Sequence, residues 1–194
     1  MFDNLNKYRI VLASNSPRRQ ELLRQLGLQF DVEVKRGIDE SYPPMLEATQ
    51  VAEYLACKKA EAYRDDIAAG DIMLITADTV VVCDGAILGK PHDEREAFAM
   101  IRKLQNNSHL VVSGVALTTA DRRKSFSVET RVSMRPMTDV LIDYYIVNYK
   151  PFDKAGAYGI QEWIGLAAID HIEGSYHNVM GLPTQRLFEE LSQF

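Results

Sequence analysis

From Ile72 to Cys83 the chain reads Ile-Met-Leu-Ile-Thr-Ala-Asp-Thr-Val-Val-Val-Cys. A near-continuous apolar run of this length is what a central strand covered on both faces looks like. The class is set by the start of the chain, where Tyr8 to Lys35 reads as a strand-helix-strand unit, which points to an α/β fold. Asp78 interrupts the apolar run. An isolated buried carboxylate is very costly, so Asp78 must be paired, hydrogen-bonded or bound to metal, or must sit at a strand end or bulge.

The segments around this run support the same class. Tyr8 to Ala13 reads as an interior strand, and Pro17 to Leu26 as a helix that turns Leu22, Leu23 and Leu26 inward and ends at Gly27. Phe30, Val32 and Val34 alternate with charged residues, so Leu28 to Lys35 reads as a half-buried strand. Glu47 to Tyr63 is a long helix carrying adjacent Lys58 and Lys59, and Asp65 to Asp71 is a turn. Asp84-Gly85 is a tight-turn signal before a short strand, Ala86 to Leu88. Asp93 to Leu104 is a helix. His109 to Thr118 and Ser125 to Met134 form an antiparallel pair across the Asp121 to Lys124 turn, which reads as a solvated tip. The sheet is therefore mixed. Thr138 caps a helix through Val147, Leu166 to Ile172 reads as a strand, and Pro183 opens the last helix.

The 194 residues suit one domain, 1–194, or two small lobes sharing a core, with no repeat or clear linker. A net charge of -5 lends no support to a nucleic acid polymer as partner, although a small anion in a locally basic cleft is compatible with it. Two isolated cysteines, Cys57 and Cys83, make neither a zinc cluster nor a disulfide scaffold. With no signal-like apolar region and no membrane-length run, the expected setting is the cytoplasm, away from membranes.

Two stretches carry the first chemical signals. Ser16 can cap the first helix and Pro17 fits its first position. Arg18 and Arg19 then fall in the first turn, where the helix dipole repels cations, so either an anion docks against them or they are incidental charges on a solvated surface turn. Later, Asp153-Lys-Ala-Gly-Ala-Tyr-Gly-Ile-Gln161 puts two glycines among small and polar residues, either as backbone kept close to a ligand or as a compact loop. Ser14, Arg18, Arg19, Asp78 and Lys90 lie next to apolar strands, with Glu40, the lysine pair and Gln161 in loops or at helix ends between them. Cations to neutralise phosphate oxygens, plus carboxylates to hold a hard divalent ion, form the inventory for phosphate chemistry. The scattered histidines make no hydrolytic triad or zinc motif.

Four stretches taken together resemble the Maf family of nucleotide pyrophosphatases: Leu12 to Leu23, Thr76 to Val81 with Leu88 to Pro91, Asp153 to Gln161, and Gly174 to Pro183. The resemblance covers essentially the whole chain in order. It implies an α/β fold with a mixed β-sheet, flanking helices and two lobes around a deep cleft, similar to the inosine triphosphate pyrophosphatases. It implies cleavage of a nucleoside triphosphate to the monophosphate and diphosphate with Mg2+ or Mn2+. By position, Ser14, Arg18, Arg19, Lys59, Lys90 and Gln161 would bind substrate, Asp78 would take the water proton, and Glu40 with Asp78 would hold metal. Arg18, Thr79 and Gln161 resemble the branch acting on dTTP and UTP. The pyrimidine edge would be read by the Gln161 amide or by loop backbone. Modified pyrimidine nucleotides are a wider substrate set, and a non-catalytic pyrimidine-nucleotide regulator linked to cell division is the alternative reading. A homodimer is a family-level expectation.

Overall fold

The structure, a computed structural model, describes residues 2–194. In chain order the regular elements are β1 (Arg9–Leu12), α1 (Pro17–Gln25), β2 (Asp31–Val32), α2 (Val51–Glu61), α3 (Arg64–Ala68), β3 (Ile72–Cys83) and β4 (Ala86–Leu88). They continue with α4 (Glu94–Leu104), β5 (Asn107–Thr118), β6 (Arg123–Met134), α5 (Asp139–Tyr149), α6 (Trp163–Ala167), β7 (Ile169–Glu173), α7 (Tyr176–Met180) and α8 (Thr184–Ser192). The described strands form a seven-stranded mixed sheet in the order β2-β1-β3-β5-β6-β7, with β4 paired to β3. The mixed α/β class expected from the sequence is the one observed. No described helix is long and apolar enough to cross a membrane.

The chain divides into two compact units, and β3, β5 and β6 each run through both. The first comprises the chain up to Asp78, Ser113–Val128 and Gly181–Phe194. Here β1 lies parallel to β2 and to β3, with Val11 opposite Leu74 and Leu12 opposite Ile75. Ile72–Ala77 of β3 is buried throughout, as the apolar run requires. Helix α2 buries Val51, Ala52, Leu55, Ala56 and Ala60, and the buried Thr76 hydroxyl donates to Ala56 O at 2.7 Å, tying β3 to α2. Gly114 brings β5 so close to α2 that a Cβ there would lie 2.2 Å from the Glu53 nitrogen.

The second unit comprises Thr79–Val112 and Glu129–Met180. Its core packs Val81, Ile101, Leu104, Val132, Ile142 and Ile164 around the inward faces of α4, α5 and α6. Asp93 and Thr138 cap α4 and α5 through their side chains, Thr138 as its sequence position predicts.

Several local expectations change. The Leu28 to Lys35 strand shrinks to Asp31–Val32, and both residues are exposed. Only one neighbour, β1, pairs with it, so alternation alone did not place a buried face there. Helix α3 takes up much of the segment expected as a turn, Asp65 to Asp71. Leu166, read as strand, lies on α6 with 89% exposure, because the strand starts only at Ile169. The Arg122 to Lys124 tip is anchored: Arg122 stacks over the Phe194 ring, Arg123 pairs with Glu61, and Lys124 pairs with buried Glu190.

Candidate active site

In the first unit, α2 and β3 set two charged side chains face to face. Lys59, in the last turn of α2, places its Nζ 2.5 Å from Asp78 Oδ1 and 2.9 Å from Glu40 Oε1. The Lys59 and Asp78 side chains are 15% and 16% exposed, whereas Glu40 is 60% exposed. Asp78 thus finds the partner that its place in an apolar strand demands. Lys58 and Lys59 take separate tasks. Lys58 Nζ donates to Asp39 Oδ2 at 2.8 Å and to Ser41 O at 2.6 Å. It therefore fastens the loop on either side of Glu40. The Lys58 ammonium and the Ser41 hydroxyl and N–H hold the Asp39 carboxyl well below the usual carboxylate range.

Ser16 caps α1, its hydroxyl accepting from the Arg19 N–H at 3.4 Å, and Pro17 takes the first position. Arg18 and Arg19 stand in the first turn as expected, both partly buried. Arg19 Nε donates to Gly181 O and Nη1 to Ala77 O, each at 2.8 Å, and Nη1 reaches the buried Ser14 hydroxyl at 3.5 Å. Carbonyl oxygens thus compensate this cation at the unfavourable helix end, so its position alone does not require an anion. Burial pushes the Arg19 guanidinium pKa down; Asp78 and Glu40 oppose the shift and Arg18 adds to it. Ser14, Arg19, Glu40, Lys59 and Asp78 therefore belong to one electrostatic neighbourhood.

Among the described residues, no cluster of three or more His, Cys, Asp and Glu could hold a metal by itself. Glu40 and Asp78, converging on one ammonium, form a donor pair of hard oxygens. Such a pair fits a magnesium-like ion, which keeps several waters and takes further oxygens from substrate phosphates.

The second unit holds the remaining expected residues. Thr79 is partly buried on β3, and Lys90 is exposed just after β4. The Gly156 N–H donates to Gly89 O at 2.9 Å, which fastens the glycine-rich loop beside Lys90. Gly156 (φ 69°) and Ala157 (φ 59°) are consecutive left-handed residues. For Ala157 that conformation costs about 1–2 kcal/mol. Gln161 is exposed between buried Ile160 and partly buried Glu162.

Sequence reasoning missed what holds this loop. Lys154, 9% exposed, pairs with Asp153 at 2.8 Å and with Glu162 at 3.0 Å. The Tyr145 hydroxyl donates to Glu162 Oε2 and accepts the Gly159 N–H at 3.0 Å. A lysine inside a glycine-rich stretch was the available signal, but its partner lies eight residues on across an irregular loop, where no secondary-structure period applies.

Beneath the same loop, buried His109 meets the Tyr158 hydroxyl through Nε2 at 2.7 Å, while its Nδ1 has no hydrogen-bond partner. Burial lowers the His109 pKa from 6.5 to about 4. The depressed value means that the unfolded chain binds the extra proton first. The stability from keeping His109 neutral is present above its unfolded pKa and is lost as pH falls towards the folded one. Urea unfolding should therefore show a loss of about 2 kcal/mol from this group between pH 7 and pH 5. The His109→Phe protein should lose correspondingly less over that interval; equal losses in both proteins would refute the assignment.

The family model described as Maf-like protein matches residues 9–194. A dTTP/UTP pyrophosphatase of Phocaeicola vulgatus is 52% identical over 193 residues, covering 100% of both chains. One of Parabacteroides distasonis is 49% identical over 194 residues, again covering 100% of both. Among solved structures, a HAM1 protein from Coxiella burnetii matches with a TM-score of 0.53 at 15% identity, covering 96% of this chain and 100% of that one, a likeness of fold alone. With a matching profile over nearly its whole length and full-length relatives at about half identity, the chain belongs to the Maf-like protein family.

Proposed function

We propose that this protein is a nucleoside triphosphate diphosphatase that hydrolyses dTTP and UTP to the monophosphate and diphosphate. The observation that carries the reading is the Asp78–Lys59–Glu40 cluster at the Arg19 end of β1 and β3, in a chain whose full-length relatives are named dTTP/UTP pyrophosphatases.

In this reading Asp78 is the proton acceptor. Lys59 occupies Oδ1, and Oδ2 takes the proton from the attacking water. The water oxygen bonds to the α-phosphorus, the bond to the bridging oxygen breaks, and diphosphate leaves with that oxygen. Ser14, Arg18, Arg19 and Lys59 supply hydrogen bonds and positive charge to the phosphates, the preorganised electrostatic stabilisation that dominates such transfers. Glu40 and Asp78 would hold a divalent cation, Mg2+ or Mn2+, which when bound neutralises phosphate charge and acidifies water. Lys90 is a further phosphate contact. Thr79 and Gln161 select the base, with Gln161 matching both a donor and an acceptor on the pyrimidine edge. The setting is the cytoplasm, consistent with two free cysteines.

A panel of canonical and modified triphosphates, scored by kcat/KM for diphosphate release with and without added Mg2+ or Mn2+, tests the reading. The highest values are expected for dTTP and UTP. Binding without release of diphosphate, or a preference for purine nucleotides, would overturn it.

A further inference from the structure

The loop carrying Gln161 is closed on itself by a charged clamp. Lys154 at its start reaches Glu162 at its end, and Tyr145 on α5 joins the Glu162 carboxylate to the Gly159 N–H. The clamp presses directly on the backbone. A Cβ on Gly159 would lie 2.9 Å from both Glu162 Cδ and Lys154 Cε. Burial and the Glu162 carboxylate push the Tyr145 phenol pKa up, so the hydroxyl stays a donor.

This is an expensive way to shape a loop. Burying a lysine with its carboxylate partners gains little over apolar packing of the same volume, and the best-attested return for such pairs is a fixed register. The loop also contains left-handed Ala157, and strained backbone of this kind persists only where its surroundings over-determine it. The residues so held, Gly159 to Gln161, are those that lead to the exposed amide.

We propose that Lys154, Glu162 and Tyr145 are positioning residues for base selection: by fixing the Gly159–Gln161 backbone they present one hydrogen-bonding register to the pyrimidine edge. The inference rests on the dTTP/UTP reading above. UTP and CTP are the informative pair. They differ at the edge itself, uracil offering an N–H and a carbonyl where cytosine offers a bare nitrogen and an amino group.

The Tyr145→Phe protein keeps the ring and loses the hydroxyl. Its UTP-over-CTP ratio of kcat/KM should fall roughly tenfold, the size of one lost buried hydrogen bond, mainly through a higher KM for UTP. Its kcat should stay within about threefold, because the proton acceptor is untouched. Amide exchange at Gly159 should quicken. Should Tyr145→Phe fail to fold, Glu162→Gln keeps an acceptor for Tyr145 while removing the charge opposite Lys154, and the same fall in the ratio is expected. Gln161→Ala, measured alongside, separates the two levels. A ratio lost in Gln161→Ala but intact in Tyr145→Phe or Glu162→Gln overturns the clamp. A ratio intact in Gln161→Ala but lost in the clamp variants supports the clamp and moves base reading to the loop backbone. Wild-type protein that releases diphosphate equally from UTP and CTP overturns the substrate reading and the clamp with it.

Discussion

Replacing Asp78 by Asn is expected to lower kcat for dTTP and UTP by roughly 10²–10⁴-fold, the range that positioned general bases contribute. The amide keeps the shape and can still accept from Lys59, but it cannot take a proton from water. Lys59 retains Glu40 at 2.9 Å, so its charge is not left alone. The stability cost should therefore be about 1–2 kcal/mol rather than the 3–5 kcal/mol of a wholly broken buried pair. Without added divalent cation, nucleotide binding should be unchanged or tighter, since a negative charge beside the phosphates has gone. Direct titration of UTP against the variant separates this outcome from general damage. Turnover within tenfold of wild type would remove Asp78 from its proposed role.

Gly114→Ala should be the most damaging small substitution in the first unit. The added methyl would stand 2.2 Å from Glu53 N, 2.3 Å from Ala52 C and 2.4 Å from Glu53 Cα. All three are backbone atoms of α2, so no side-chain rotation relieves the clash. Either β5 or α2 must move, and overpacking of this kind costs about 3 kcal/mol or more. For a chain of this size that corresponds to a fall in Tm of roughly 6–12 °C. A functional consequence follows from where α2 leads. It carries Lys59, and the Thr76–Ala56 and Ser125–Glu53 hydrogen bonds hold it against the sheet. A displaced α2 draws Lys59 away from Asp78, so activity measured well below the lowered Tm should fall too. Thermal unfolding paired with turnover at low temperature checks both effects, and a Tm within about 2 °C of wild type would refute the close-packing argument.

Local physics explains what was legible beforehand. The β3 run announced an interior strand because apolar residues on both faces have few other homes. Ser16 and Thr138 announced helix starts because capping is a contact between near neighbours in sequence. The Asp65 to Asp71 region and Leu166 misled because short helices carry little periodic signal. Phe30, Val32 and Val34 misled because alternation states which residues share a face, not whether anything covers that face.

The site divides along the same line. Residue types and order alone pointed to phosphate chemistry and placed a carboxylate where it had to find a partner. Only the tertiary structure decided which partner: Lys59 meets Asp78, while its neighbour Lys58 is turned to Asp39. It likewise showed Arg19 held by Ala77 and Gly181 carbonyls, and Lys154 closing the glycine-rich loop onto Glu162. Short-range patterns are written in the chain because neighbouring residues meet whatever the fold. Pairings between distant residues depend on where strands and helices come to rest, and the sum of burial and close packing over the whole molecule sets that.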